Sequence, residues 1–94
     1  MGKSQYKVEG GKLIKVQLHM KDNVIEKIKI MGDFFLHPEE LIEELEKTLE
    51  GQLLNEKGLT KAIKTLIEKS GATLLGAAPE DFARCIMMAG ETVG

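Results

Sequence analysis

Few side chains in this 94-residue sequence are suited to chemistry: one cysteine, Cys85, two histidines, His19 and His37, and a run of carboxylates in "PEELIEELEKTLEG". A nucleophilic thiol needs a lowered pKa and a basic partner. Cys85 shows neither at sequence level and falls in a segment of helical pattern, where a lone cysteine reads as a small buried hydrophobe. His19 alternates with apolar neighbours and reads as a solvent-facing strand residue. His37 precedes Pro38 and suits a helix cap better than catalysis. The carboxylates describe a solvated helix face, not an acid/base pair. Gly10-Gly11 lacks the full phosphate-loop pattern, and no helix follows it directly. One cysteine permits neither an internal disulfide nor a multi-cysteine metal site, and a reducing, cytoplasmic setting is expected. These residues do not assemble a complete enzyme.

The totals narrow the classes further. A hydrophobic content of 43% with 30% charged residues is that of a globular domain, which excludes a disordered chain. We expect one domain over 1–94, with a frayed tail from about 90–94. A net charge of −2 gives no overall basic character, so no nucleic-acid partner is expected. No apolar run reaches membrane-spanning length, and Tyr6 stands where an N-myristoylation signal needs Ser or Thr, so no membrane partner is expected either. The charge is uneven along the chain: net +4 over 1–31, −7 over 32–56 and +1 over 57–94. A basic strand region therefore abuts an acidic helix. That basic face is either a solvated surface or one that meets something anionic.

The elements that must position these groups follow from periodicity. Tyr6 and Val8 before Gly10-Gly11 suggest a short first strand and a tight turn. In "KLIKVQLHM", Ile14, Val16, Leu18 and Met20 alternate with Lys15, Gln17 and His19. In "VIEKIKIM", Val24, Ile28 and Ile30 share a face opposite Lys27 and Lys29. A two-residue Asp22-Asn23 loop mixes the faces of this hairpin. A three-residue Lys21-Asp22-Asn23 loop keeps them, pairing Val16 with Ile28 and setting Lys15 directly across from Lys29. Pro38 then suits the first position of a helix, with Glu39 and Glu40 in its first turn and a stripe of Leu41, Ile42, Leu45 and Leu49. Gly51 follows that helix. Asn55 caps a second, striped by Leu59, Ala62, Ile63, Leu66 and Ile67 and ended by Ser70-Gly71. "ATLLGAA" is a short apolar connection. Pro79, Glu80 and Asp81 open a third helix carrying Phe82, Ile86 and Met87. The fold class is α+β: a small antiparallel sheet of two or three strands followed by about three helices on one face.

The stretch "IKIMGDFFLHPEE" holds two of the three phenylalanines, side by side where a strand gives way to a helix. Together with the preceding hairpin, the acidic helix and "GAAPEDFARCIMMAG", it resembles the C-terminal accessory domain of lipoate–protein ligases over roughly residues 6–90. The resemblance implies a fold similar to sulfur-acceptor and iron–sulfur scaffold domains. It also implies half of an enzyme. In that family a large domain binds lipoate, ATP and Mg, forms lipoyl-adenylate and passes the lipoyl group to a lysine of an acceptor domain. The Arg-Arg-x-x-Gly-Gly-Gly motif and reactive-site lysine of that large domain are absent here.

The chain is thus expected to be the non-catalytic subunit of an ATP-dependent lipoate–protein ligase, inactive alone. It would form a heterodimer with the large subunit and bind no cofactor or metal by itself. Gly32, Asp33, Phe34, Phe35 and His37, with Lys15 and Lys29, form the candidate partner interface. Gly32 allows the turn, and Asp33 is placed to accept backbone hydrogen bonds. Adjacent phenylalanines in an extended segment point to opposite sides, so one is expected to bury and the other to remain as an anchor. The alternatives are a sulfur or iron–sulfur trafficking module, for which Cys85 within a helix is badly placed, and a generic protein-interaction domain.

Overall fold

The alternation of apolar and charged residues in the first third of the chain resolves into a three-stranded antiparallel sheet. In the computed structural model, which describes residues 2–91, the order is β1 (Gly2–Lys7), β2 (Leu13–Lys21), β3 (Val24–Gly32), β4 (Phe35–His37), α1 (Leu41–Leu49), α2 (Glu56–Ser70), β5 (Thr73–Leu75) and α3 (Pro79–Glu91). The main sheet runs β1-β2-β3, and β4 pairs with β5 in a separate two-stranded sheet. α3 packs across β1 and β2, α1 packs against β3, and α2 lies against α1 and α3. The architecture is the expected α+β one, with helices on one face of the main sheet. Gly90 and Glu91 belong to α3, and the rest of the expected frayed tail, 92–94, lies outside the described residues.

The hairpin register differs from expectation. Asp22 and Asn23 both have positive φ, 51° and 66°, and form a two-residue turn. Such a turn needs left-handed backbone at both positions, which Asp and Asn tolerate best after glycine. The parity that this turn would spoil is restored by a bulge between His19 and Met20, where Glu26 is the unpaired extra residue of β3. Val16 consequently lies opposite Ile30, Leu18 opposite Ile28 and Met20 opposite Ile25. Ile25 takes the inward place expected of Val24, which instead bridges to Leu53. Lys15 faces Met31 and Lys29 faces Gln17, so the two lysines are diagonal neighbours and not a direct pair.

The core joins the inner face of the sheet (Ile14, Val16, Leu18, Ile25, Ile28, Ile30) to the helix stripes at Leu45, Leu49, Leu59, Ile63, Phe82 and Ile86. The expected stripes of all three helices therefore face inward, except that Ile42 is half-buried at the wall of the corner groove. α1 begins later than expected. Pro38, Glu39 and Glu40 form a lead-in turn whose bonds run from Leu41 N to the Pro38 carbonyl and from Ile42 N to the Glu39 carbonyl, 3.1 Å each. These three-residue steps are tighter than α-helical ones. The acids of the first turn proper are Glu43 and Glu44.

The other two helices are capped locally. Asn55 accepts from Gly58 N at 2.8 Å, and Gly71 ends α2 in the left-handed region at φ 64°. At α3, the Asp81 carboxylate accepts from Ala78 N at 2.9 Å, half of a capping box.

The edge of β3 is also closed. Gly51 N donates to the Ile25 carbonyl at 2.7 Å, Ile25 N donates to the Gln52 carbonyl at 2.9 Å, and Ile30 N donates to Glu46 Oε2 at 2.7 Å. Covering an edge in this way removes a template for unwanted strand pairing.

Candidate partner interface

The corner between β3 and α1 is built from the residues singled out in the sequence, and it divides them. Gly32 has φ 151°, and a Cβ there would collide with the carbonyl oxygen of Leu13 and lie 3.0 Å from the Phe34 ring. Only glycine lets the chain leave the sheet so close to β2. Asp33 N donates to that same Leu13 carbonyl at 3.0 Å. The Asp33 side chain is exposed, and among the described residues no hydrogen bond reaches its carboxylate. The expected acceptor role is therefore replaced by a donor role of its backbone.

Phe34 and Phe35 point to opposite sides. Phe34 turns inward and meets Phe82 edge to face, with ring centroids 4.8 Å apart and planes at 86°. This arrangement aligns the positive edge of one ring with the negative face of the other. Phe34 is thus chiefly a packing residue, half-buried at the wall of the corner. Phe35 is 52% exposed, and its β5 partner Leu75 is 59% exposed. Directly opposed strand residues share a face, so the two form one exposed apolar pair. His37, two residues along β4, lies parallel to Phe35 with centroids 6.2 Å apart and planes at 3°. Leu75 escapes the sequence reading because a three-residue strand carries too little periodicity to be seen.

Beside this pair runs an apolar groove of about 380 Å³ lined by Met31, Phe34, Phe35, Leu36, Ile42 and Glu39, among others. Met31 also lines a smaller depression of about 220 Å³ with Lys3, Lys15 and Gln17. The corner and the basic face are therefore continuous. Across the outer face run the rows Lys3–Gln17–Lys29, Gln5–Lys15–Met31, Lys7–Leu13 and His19–Lys27. All five of these lysines are exposed. Lys15 and Lys29 were the visible part of a larger basic face. The signal for Lys3 and Lys7 is their alternation with Gln5.

Cys85 lies on the other side of the sheet, fully buried. The Ser4 hydroxyl donates to the Cys85 carbonyl at 2.6 Å and lies 3.1 Å from Sγ, while the thiol donates to the Ile14 carbonyl at 3.6 Å. Burial pushes the thiol pKa up, opposed by the Ser4 hydrogen bond. Such a thiol is inert as a nucleophile. Among the described residues no cluster of three or more His, Cys, Asp or Glu could hold a metal, and no helix is long and apolar enough to cross a membrane. A larger groove, about 560 Å³, lies between α2 and α3. It mixes Lys57, Lys61, Lys64 and Arg84 with Glu56, Glu80 and Asp81, and shares no lining residue with the corner.

Comparison with known proteins shows what the chain is similar to. Lipoate-protein ligase A subunit 2 of Thermoplasma acidophilum is 35% identical over 74 residues, covering 79% of this chain and 76% of that protein. A chain from the structure of an archaeal lipoylation system, a bipartite lipoate protein ligase and its E2 lipoyl domain from Thermoplasma acidophilum, superposes with a TM-score of 0.77. It is 32% identical, and the match covers 89% of this chain and 91% of that one. Residues 3–86 match the family described as the bacterial lipoate protein ligase C-terminus, and the chain belongs to that family.

Proposed function

We propose that this chain is the accessory subunit of a two-chain lipoate–protein ligase, required with a large catalytic subunit for ATP-dependent activation of lipoate to lipoyl-adenylate. In this reading the large subunit binds lipoate, ATP and Mg, and the product lipoylates lysines of acceptor domains. The similarity to a subunit 2 and to a bipartite ligase supports the assignment. The observation within the molecule that carries it is the exposed Phe35–Leu75 pair. A small domain that leaves its largest outward aromatic on a two-stranded sheet, beside an apolar groove, has the profile of a surface that a partner covers.

Adenylation joins a carboxylate to the α-phosphate of ATP as pyrophosphate leaves. The step gains from excluding water and from stabilising negative charge. A subunit that closes over the site contributes to both without supplying a reacting group. We assign Phe35, Leu75 and His37 to the contact with the large subunit, with Gly32 and Asp33 shaping the corner. The lysine face of the sheet, including Lys15 and Lys29, turns toward the same partner.

The buried thiol of Cys85 disfavours a sulfur-transfer or iron–sulfur role. Mixing this chain with the large subunit, then following complex formation by size-exclusion chromatography and lipoylation of an acceptor domain by mass, tests the assignment. Co-elution and lipoylation that requires both chains are expected. Acceptor lipoylation unchanged by this chain would overturn it.

A further inference from the structure

The outer face of the sheet is a second kind of surface from the corner it adjoins. It presents five lysines, Lys3, Lys7, Lys15, Lys27 and Lys29, with His19. Its paired rows contain no carboxylate, and Glu26 stands at the bulge near the turn. No helix packs over this face, because α1 and α3 bind the sheet through the opposite, apolar one. None of the five lysines is paired directly with another; each lies opposite a Gln, Met, Leu or His side chain, which spreads the positive charge over the whole face.

We propose that this lysine face is a steering surface for a carboxylate-rich patch on the large ligase subunit. It governs how fast the two chains meet, while Phe35–Leu75 governs how long they remain together. The proposal rests on the accessory-subunit reading.

Three features favour a compact acidic protein patch over a polyanion. With strands about 4.8 Å apart, three strands make a cationic strip only on the order of 10 Å wide. Its β3 border is lined by carboxylates: Glu46 bonds to Ile30 N at 2.7 Å, and Glu39 lines the groove that contains Met31. A nucleic acid or an anionic membrane extending past the strip would meet that acidic border and the −7 segment behind it. The strip is also continuous through Met31 with the apolar groove, so one partner can cover both. Charges at a rim act mainly on association, and buried aromatic anchors act mainly on dissociation.

The test is stopped-flow or biosensor kinetics with the large subunit from about 20 mM to 500 mM salt, where exposed charges become screened. The wild type is compared with the triple variant Lys15→Gln/Lys27→Gln/Lys29→Gln and with Phe35→Ser, each confirmed folded by thermal unfolding. The association rate of the wild type is expected to fall about tenfold or more across this range. The triple variant should associate about tenfold more slowly at low salt, with a flatter salt dependence and a dissociation rate within about twofold of wild type. Phe35→Ser should show the reverse, faster dissociation with near-normal association. Equal association rates for wild type and triple variant at all salts would overturn the steering role while leaving the accessory reading intact. No complex at any salt would overturn the accessory reading itself. Tighter binding to a 20-base-pair duplex or to phosphatidylserine vesicles than to the large subunit, lost in the triple variant, would also overturn the proposal in favour of those partners.

Discussion

The ring of Phe34 stands edge-on to that of Phe82, 4.8 Å between centroids, while its sequence neighbour Phe35 faces outward beside Leu75. One residue step thus separates a fold-forming aromatic from an exposed one.

Substitution separates the two roles. Phe34→Ala removes a half-buried ring from a packed pair and is expected to cost about 2–4 kcal/mol, read from denaturant unfolding. Phe35→Ser should change stability by less than about 0.5 kcal/mol, since a half-exposed side chain loses little burial, yet weaken binding to the large subunit. Equal destabilisation by both would contradict the division.

The thiol of Cys85 gives a pH signature. Its pKa in the folded state is raised above the ordinary 9.0, chiefly by burial. Folding therefore favours the neutral thiol. That contribution is fully present below the ordinary value and is lost as pH climbs through the raised one. Wild-type stability should fall above pH 9 more steeply than that of Cys85→Ala, the difference being read from urea midpoints. Parallel profiles for the two proteins would show the thiol to be unperturbed. Reaction of Cys85 with a disulfide reagent should likewise wait for unfolding.

The Glu46 carboxylate holds the edge of β3 through Ile30 N at 2.7 Å. Glu46→Ala leaves that part-buried N–H without its partner and is expected to cost about 1–2 kcal/mol, whereas Glu46→Gln keeps an acceptor and should retain most of the stability. Faster hydrogen exchange at Ile30 in the alanine variant, measured by NMR, would accompany the loss. Unchanged exchange would rule out the edge-capping role.

Much of this fold is legible in the sequence because its signals are local. The stripes Leu41/Leu45/Leu49 and Leu59/Ile63 sit at helical spacing, and Asn55, Gly71 and Asp81 mark helix ends by their own side chains or backbone freedom. The hairpin register is harder to read for a specific reason. A three-residue loop and a two-residue turn followed by a one-residue bulge bury the same face of β3 from Ile28 onward and differ only at the tip, where the bulge turns Ile25 inward in place of Val24. The cost of the turn at Asp22-Asn23 decides the matter only in three dimensions. β5 is invisible because its three residues owe their strand conformation to distant β4. The candidate interface is half legible for the same reason. Phe34 and Phe35 must diverge, but which of them faces Phe82 depends on where α3 packs.

Lipoate-dependent exchange of pyrophosphate into ATP, measured with the large subunit alone, with this chain alone and with both, tests the accessory role most directly. Exchange is expected only when both chains are present, and it should fall strongly when Phe35→Ser replaces the wild-type chain. Exchange by the large subunit alone at the rate of the mixture, or by this chain by itself, would contradict it.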